Sequence, residues 1–480
     1  LVADAVGNLT RETDGNNHAT QHQYDALNRL FNSTNALGQN TSYAYDINNR
    51  PTSVIAPNNL ATQYQYDDLG NQLQEISNDR GTTHYTYDLA GNVLTILDAK
   101  NQTTTYAYDA LNRVTSQQNS DAATPRYTYI YDGCGRGRLC SIQRNGQFHF
   151  YFSYDGLGRR TYQLAAGPAW LYSLYAYTPA GRLQNVTHPS GRTVDYQYDA
   201  LGRVSQVSTT ANGTTTVLAK NLQYYPFGPM QNFTFGNNRS FWTSFDQAYR
   251  PVYQFSGPRY KYATYDPAGN LSALNDINNT SQTFTYDALN QLTGAADTRS
   301  GSYGNLGYLY NANGNRQNET RNGTATTYAY YDNTNRLYHA GDSDWRLMDA
   351  AGNTMWSSDL WVVNYDGYGR LLSTSKAQSS YGYNAFDQRL QKTAGGATTT
   401  FHYGPHGELL YETDGATNRA YVYLNNLPLA RIDDDTNIYY YHTDHLGTPQ
   451  LMTNSAGTVV WKATYDPFVR ATITTQTITN

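Results

Sequence analysis

The sequence lacks most of the features by which a protein class is recognised. Only two cysteines, Cys134 and Cys140, occur in 480 residues, which is too few for a disulfide framework. A disulfide across the Gly-rich turn between them and two free thiols both fit the sequence. No run approaches the roughly 18 apolar residues of a membrane helix, and no signal peptide begins at Leu1. These absences argue against a disulfide-stabilised miniprotein and against membrane-spanning helices.

An excess of charge of one sign is also lacking. The 33 basic and 38 acidic residues leave a formal net charge of −5, so no nucleic-acid partner is indicated. Leu, Val, Ile and Phe together number 82, about 17% of the chain, which is below the roughly 20% under which highly charged chains are disordered. We nevertheless expect a folded protein, because the net charge is small and 47 tyrosines can supply the buried surface.

What the chain has in abundance is a tyrosine repeat. Tyr-Asp pairs place aspartates at positions 25, 46, 67, 88 and 109, a constant spacing of 21 residues. A fixed period in this range is typical of repeat proteins. A second tyrosine usually precedes the pair by two residues, with a small or polar residue between, so a strand here has two unlike faces. With no sustained helical pattern, the prediction is an all-β repeat body, elongated or closed.

The turn after each pair has its own pattern. In twelve units the third residue after Asp is Gly or Asn, the two residues that best tolerate positive φ. We therefore expect left-handed backbone at Asn28, Asn49, Gly70, Gly91, Asn112, Gly135, Gly158, Gly202, Gly269, Asn290, Asn335 and Gly369. The next residue is most often Arg. We assign a structural role to the repeat motif represented by Tyr45, Asp46, Asn49, Tyr66, Asp67, Gly70, Tyr87, Asp88, Gly91, Tyr108, Asp109, Asn112, Tyr198, Asp199, Gly202 and Arg203.

Three stretches depart from this pattern. The segment Tyr177-Thr178-Pro179-Ala180-Gly181-Arg182 keeps the turn but has Thr in place of Asp. Residues from 205 to about 262 are irregular and rich in aromatic side chains, namely Phe233, Phe235, Phe241, Trp242 and Phe245. An insertion between Asp332 and Asp366 holds Trp345, Trp356 and Trp361. We expect both aromatic sets to pack in the core; the alternative is an aromatic surface that grips a partner or cargo.

A second distinctive stretch lies near the end, where Tyr439 to Pro449 reads YYYHTDHLGTP and Tyr465-Asp466-Pro467-Phe468 follows. Together with the Tyr-Asp repeats and Gly-Arg turns, it resembles the YD repeats and core block of bacterial Rhs proteins, and the related shell of animal teneurins. The resemblance implies a YD-repeat β-sheet that spirals into a hollow shell or barrel-like solenoid. Residues 1–435 would form the YD-repeat shell and residues 436–480 the core-associated block that closes it. The core-block residues are Tyr441, His442, Asp444, His445, Gly447 and Pro449.

No group of residues in the sequence indicates catalysis. His442, Asp444 and His445 are possible metal ligands by residue type, but the neighbouring glycine and proline favour a tight structural loop. Asp433, Asp434 and Asp435 lack the Gly and distal Glu of an EF-hand loop, so we expect a solvated turn. A nucleophile elbow, a phosphate loop and an HExxH motif are all missing. We predict no catalytic, cofactor-binding or metal-binding residue, and hence no enzyme.

The family resemblance also implies a function. In Rhs proteins the shell encloses a C-terminal toxin, which is cut free at a DPxGL motif after the shell. That motif is missing here, which fits either a shortened chain or a parent protein that differs from the family. Because the chain opens inside a degenerate repeat, Val6-Gly7-Asn8-Leu9, we expect it to be a piece of a longer protein. The first hypothesis is a secreted or cell-surface bacterial shell segment that encapsulates a toxin or another polypeptide for delivery. The alternative is an extracellular adhesin that binds glycans or a protein.

Overall fold

The computed structural model describes residues 1–226, 228–276, 281–297, 299, 302–468 and 470–478. Within these ranges there is no helix, and 46 strands follow one another as an antiparallel meander of neighbouring strands. Phe227, in the aromatic-rich stretch, lies outside the described residues. The all-β prediction is confirmed.

The chain divides into two compact units, each assembled from early and late segments. Unit 1 comprises Leu1–Arg126, Thr264–Leu274 and Ser281–Gln378, and unit 2 comprises Tyr127–Ala263, Asn275–Thr280 and Ser379–Asn480.

The strands are given in chain order. The first segment of unit 1 contains β1 (Val2–Ala3), β2 (Leu9–Thr13), β3 (Ala19–Tyr24), β4 (Leu30–Thr34), β5 (Asn40–Tyr45), β6 (Pro51–Ile55), β7 (Ala61–Tyr66), β8 (Gln72–Ser77), β9 (Gly81–Tyr87), β10 (Val93–Leu97), β11 (Thr103–Tyr108) and β12 (Val114–Asn119). The first segment of unit 2 contains β13 (Tyr127–Asp132), β14 (Gly135–Arg144), β15 (Gln147–Tyr154), β16 (Arg160–Ala166), β17 (Trp170–Tyr177), β18 (Leu183–Thr187), β19 (Thr193–Tyr198), β20 (Val204–Ala211), β21 (Thr214–Tyr224), β22 (Met230–Phe235), β23 (Ser240–Phe245) and β24 (Pro251–Ser256).

The later strands begin with the return of the chain to unit 1. They are β25 (Arg259–Tyr265), β26 (Leu271–Asn275), β27 (Ser281–Tyr286), β28 (Leu292–Asp297), β29 (Gly304–Tyr310), β30 (Arg316–Arg321), β31 (Thr324–Tyr330), β32 (Leu337–Ala340), β33 (Asp344–Met348), β34 (Thr354–Ser357), β35 (Trp361–Tyr365) and β36 (Leu371–Thr374). The last segment of unit 2 contains β37 (Ser379–Tyr383), β38 (Arg389–Ala394), β39 (Ala397–Tyr403), β40 (Leu409–Thr413), β41 (Asn418–Leu424), β42 (Leu427–Asp433), β43 (Asn437–Thr443), β44 (Pro449–Thr453), β45 (Val459–Tyr465) and β46 (Ala471–Gln476).

Each Tyr-Asp turn joins two strands whose faces differ as the alternation predicts. In the hairpin of β7 and β8, Tyr64 lies opposite Glu75 on one face and Gln65 lies opposite Gln74 on the other. Gln65 is exposed, whereas Tyr64 and Tyr66 are partly buried. A β-bulge interrupts the register directly before the last tyrosine of this strand, and the same shift recurs in the hairpins of β3, β5, β11 and β19. Since a bulge bends a strand and increases its twist, the repeat adds curvature at every unit.

The prediction of positive φ after the aspartates is confirmed at eleven of the twelve positions, for example at Asn49 (φ 65°) and Gly202 (φ 79°). It is wrong at Asn335. The turn there begins one residue early, with the amide of Thr334 donating to the carbonyl of Tyr331, and Asn333 takes the left-handed conformation (φ 56°). Asn335 instead donates its backbone amide to the carboxylate of Asp79 at 2.6 Å.

Within unit 1 the late segment lies along the turns of the early one. The Asn16 side chain donates to Asp266 at 3.0 Å, and the Asn119 side chain donates to the Gly367 carbonyl at 2.9 Å. Such partners are between 243 and 276 residues apart in sequence. In this unit the turns at the strand ends of the late segment are therefore stacked on the turns of the early segment.

Unit 2 is stacked in the same way and holds most of the buried core. Its largest cluster joins Val207, Leu218 and Phe233 of the early segment to Val422 and Leu429 of the late one. Phe235 and Phe241 belong to the same cluster, so the packing prediction is confirmed for three of the aromatic residues between 205 and 262. It is wrong for Trp242 in unit 2, which is 37% exposed, and for Trp345 and Trp361 in unit 1, which are 41% and 51% exposed.

Two expectations from the sequence concern unit 2: the state of the two cysteines and the surroundings of the aspartates at 433–435. Cys134 and Cys140 are joined by a disulfide. The aspartate run does form a turn, but Asp435 is not simply solvated. Its carboxylate accepts a bond from the buried Arg192 at 3.2 Å.

Candidate functional site

The repeat motif is held by a network centred on the aspartate. In the second unit, Asp46 Oδ1 accepts the backbone amides of Asn48 and Arg50 at 2.8 and 2.9 Å. The Arg50 side chain donates from Nε to Asp46 Oδ2 at 2.6 Å. These hydrogen bonds, the backbone amide of Arg50 first, hold the pKa of Asp46 below its usual value. Both carboxylate oxygens are thus engaged inside their own turn.

Arginine and tyrosine connect each turn to its neighbour. Arg50 Nη1 donates to the carbonyl of Asp67 in the next unit at 2.6 Å, and its guanidinium lies 4.9 Å from the centre of the Tyr66 ring. The hydroxyl of Tyr45 donates back to the carbonyl of Leu30 at 2.8 Å. Where Asn replaces Arg, as at Asn71, its amide reaches the same aspartate oxygen at 2.8 Å. Each unit is therefore bonded to the unit before it and to the unit after it.

The structure places the predicted repeat residues at equivalent points and does not bring them together into one site. Tyr45, Tyr66, Tyr87, Tyr108 and Tyr198 end their strands. The hydroxyls of Tyr87 and Tyr108 donate to carbonyls 15 residues earlier, at 2.8 and 2.9 Å. Asp67, Asp88, Asp109 and Asp199 cap their turns in the same way as Asp46. A catalytic centre needs unlike groups that converge on one spot, and this network has none.

The core block is buried in unit 2. His442 is fully buried, with Nδ1 at 3.0 Å from Ser256 Oγ and Nε2 at 2.9 Å from Thr453 Oγ1. Burial lowers the pKa of His442 to about 3. A neutral imidazole has one donor and one acceptor nitrogen, and the two hydroxyls satisfy both. The ring therefore links the early segment to the late one.

Asp444 forms a turn of the repeat type. Its Oδ1 accepts the amides of Leu446 and Thr448, each at 2.9 Å, and its Oδ2 accepts the Gln450 side chain at 2.9 Å. Gly447 has a φ of 83°, as this turn requires. The other predicted block residues are also placed: Tyr441 is buried, Pro449 accepts the Tyr465 hydroxyl at 2.7 Å, and His445 is on the surface. Over the part of the chain that the structure describes, no three His, Cys, Asp or Glu side chains are grouped for a metal.

A cavity of about 730 Å³ lies in unit 2 where the core block meets the irregular aromatic stretch. Its apolar lining comes from Leu183, Val204, Met230, Phe241, Phe245, Pro251 and Leu427, and its charged or polar lining includes Arg182, Arg203, Gln254, Asn425, Asp444 and His445. A second cavity of about 710 Å³ shares Leu183, Tyr198, Val204 and Asn425 with it and extends to His188 and Glu408. Sequence reasoning did not predict this site. The available signal was the loss of Asp at Thr178, four residues before Arg182.

Comparison with known proteins identifies the repeat. A family profile described as RHS Repeat matches residues 4–34, 66–103, 87–124, 177–215 and 265–302, and one described as RHS protein matches residues 438–473. The resemblance to Rhs proteins predicted from the sequence is thus confirmed.

Among curated proteins, the tRNA3(Ser)-specific nuclease WapA of Bacillus spizizenii is 24% identical over 250 residues, which are 52% of this chain and 8% of that protein. The double-stranded DNA deaminase toxin A of Burkholderia cenocepacia is 26% identical over 245 residues, 45% of this chain and 16% of that protein. The chain therefore spans less than a fifth of the length of these relatives.

Solved structures share the fold. The Tc holotoxin pore of Photorhabdus luminescens, carrying a TccC3 mutation, superposes with a TM-score of 0.79 at 17% identity, over 95% of this chain and 27% of that one. The TcdB2-TccC3 structure gives 0.74 at 16% identity, over 95% and 31%. Among the described residues, no helix is long and apolar enough to cross a membrane.

Proposed function

We propose that this chain is a wall segment of an Rhs-type bacterial shell that encloses a polypeptide, and that the enclosed polypeptide is a toxin carried C-terminal to the shell. The observation that carries the proposal is the stacking within unit 1, where turns of the late segment bond to turns of the early segment that lie 243 to 276 residues before them. A sheet that bends at every repeat and bonds to its own earlier turns grows as a wall. Stacking also covers strand ends and turns that would otherwise be open to other chains.

The chemistry of the wall supports holding rather than catalysis. The aspartates and arginines of the repeat neutralise each other inside single turns, as Asp46 does with Arg50. The first tyrosine of the pair, Tyr64, is partly buried on the strand face opposite the exposed Gln65, and the apolar ring and hydroxyl of a tyrosine suit contact with varied polypeptide. The relatives named as a nuclease and a deaminase toxin are much longer than this chain. We place any such activity in a cargo and not in these 480 residues.

The test compares the parent protein with this chain. The parent gene, expressed in full, is expected to yield a particle that retains a C-terminal piece through gel filtration and shields it from added protease. The isolated C-terminal piece is the control and should be digested within minutes under the same conditions. This 480-residue chain should stay intact for days. Equal digestion of the retained and the free piece, or cleavage within residues 1–480, would overturn the proposal.

A second candidate function, a secreted or cell-surface adhesin, is favoured by one observation in unit 1. Leu347 lies opposite Trp356, which lies opposite Val362, and Trp345 is on the same strand face as Leu347. Of these, Trp345, Leu347 and Val362 are 41 to 53% exposed, and exposed apolar patches mark interaction sites. Glycan-array and cell-binding assays with W345A/V362A against the unchanged chain would test it. Ligand binding that is lost in the variant favours the adhesin, and no binding by either protein removes this candidate.

A further inference from the structure

The turn at Thr178 leaves one arginine without the carboxylate that the repeat provides. In the turns before and after it, Arg159 and Arg203 donate from Nε to Asp155 and Asp199 at 2.7 and 2.8 Å. Thr178 still caps the backbone, since its Oγ1 accepts the amide of Arg182 at 3.2 Å. A threonine has one side-chain oxygen where aspartate has two, so nothing is left to hold the arginine side chain.

Arg182 consequently extends towards the next turn. Its guanidinium lies 5.7 Å from the centre of the Tyr198 ring and covers Gly202, where a Cβ would overlap it. Over the described residues it forms no ion pair, and its side chain is exposed at the rim of the 730 Å³ cavity. An unpaired guanidinium is a strong and geometrically specific donor for a carboxylate.

The second arginine and the aspartate of the cavity lining are already engaged. Arg203 is paired with Asp199 at 2.8 Å. Asp444 directs both oxygens to its own turn, to the amides of Leu446 and Thr448 and to the Gln450 side chain. Among the described residues that line the cavity, Arg182 is therefore the one arginine without a carboxylate partner, and it lies beside an apolar surface.

The apolar lining of the cavity determines which other chemical group the ligand must carry. Met230, Phe241 and Phe245 line the cavity with Leu183 and Val204, and such a surface favours an aromatic or branched apolar group. The volume of about 730 Å³ is within the roughly 300–1,000 Å³ of ligand sites and exceeds what one side chain fills. Two adjacent residues of a polypeptide that turns within the cavity would fit this combination of size and charge; in an extended chain their side chains would point in opposite directions.

We propose that this cavity anchors an enclosed polypeptide through an apolar side chain followed by Asp or Glu, with the apolar group against Met230 and Phe241 and the carboxylate on Arg182. The identity of the occupant rests on the proposed function, since a polypeptide enclosed by the shell would be the ligand available to this cavity. The binding chemistry itself stands on the turn geometry and the cavity lining.

The test uses the full 480-residue chain and three fluorescein-labelled peptides that share a Gly-Ser frame around Phe-Glu, Phe-Gln or Ser-Glu. Fluorescence anisotropy should give about tenfold tighter binding for Phe-Glu than for Phe-Gln, as one charge-assisted contact would give. Phe-Glu should also exceed Ser-Glu. Equal affinity for Phe-Glu and Phe-Gln, equal affinity for Phe-Glu and Ser-Glu, or no binding of any peptide would overturn the proposal.

Thr178→Asp is the most informative variant because it gives Arg182 the carboxylate that other turns have. It should fold with an unchanged or higher melting temperature and lose the preference for Phe-Glu over Phe-Gln. Arg182→Gln should lose the same preference, and Arg113→Gln in unit 1 is the matched control that should keep it. A Thr178→Asp protein that keeps the preference refutes the anchor. Protease protection of the C-terminal piece by the unchanged parent is scored separately, so failure of the anchor is distinguishable from failure of the shell.

Discussion

Lowering the pH from 7 to 5 is expected to destabilise unit 2, because three of its buried histidines must gain protons when the chain unfolds. His188, His402 and His442 are each no more than 1% exposed. Burial lowers their pKa values to about 4, 3 and 3. After burial, His188 disfavours charge on His402, Arg192 disfavours charge on His188, and Arg239 and Arg259 disfavour charge on His442. Asp435 acts in the opposite direction on His188, but burial outweighs it.

The sign and size follow from linkage. The pKa of a histidine in the unfolded chain is about 6.5, so the unfolded state binds more protons than the folded state between pH 6.5 and 4. Stability is therefore complete above pH 6.5 and falls as the pH drops through that window. At pH 5 each histidine lowers the free energy of unfolding by about 2 kcal/mol relative to pH 7. The three histidines together lower the free energy of unfolding by about 6 kcal/mol, which is comparable to the whole stability of many domains.

Urea unfolding at pH 7, 6 and 5, followed by tryptophan fluorescence, measures this change. His442→Gln keeps an amide that can bond to Ser256 and Thr453 but removes the titration. The pH dependence of its unfolding free energy should be smaller by about one proton, or about 1.4 kcal/mol per pH unit near pH 5. His406→Gln, at an exposed histidine of the same unit, is the matched control for the substitution itself. Equal unfolding free energies at pH 5 and pH 7 would refute the reasoning.

Three further outcomes are expected. Gly202→Val should lower stability by more than the roughly 0.5–1 kcal/mol of an ordinary glycine change, since φ is 79° and β-branched residues resist the left-handed conformation. The check is thermal denaturation of this variant beside Gly156→Val, where a Cβ meets no atom within 4 Å. An equal fall of the melting temperature in both variants would contradict the prediction. Tyr108→Phe should lower the free energy of unfolding by about 1 kcal/mol, because it removes the 2.9 Å hydrogen bond to the Val93 carbonyl. Chemical denaturation measures this change, with Tyr249→Phe at an exposed tyrosine as the control. Equal denaturation midpoints for the two variants would contradict the prediction. A chelator should not change the melting temperature, and a fall of several degrees would show that a metal is required.

The local structure of the repeat could be predicted because its causes are local. The strand face follows from the spacing of Tyr64 and Tyr66, and the left-handed backbone at Asn49 follows from the residue type. The exception at Asn335 has a cause outside the repeat. Asp79, 256 residues earlier, accepts both its backbone amide and its side chain, and this contact accompanies a turn that begins one residue early.

The stacking and the bulges could not be predicted in the same way. Partners such as Asn119 and Gly367 are 248 residues apart, and neither residue carries a local sign of the other. The bulge before Tyr66 has no marker residue, because the extra residue opposite it varies from unit to unit. The exposure of Trp345 was also missed, since hydrophobicity alone indicates burial and only the tertiary arrangement decides which strand face is covered.

The regularity of the repeat determines where function can reside. A carboxylate such as Asp46, with both oxygens bonded inside its turn, is a poor ligand for anything else, because a new partner must first displace existing bonds. The same holds for Arg50 and Tyr45. A side chain of the repeat becomes available only where its usual partner is replaced, as at Thr178, where the backbone cap survives and the arginine is released. In the shell that we propose, the positions that break the pattern without breaking the turn are therefore the ones available for recognising an enclosed polypeptide.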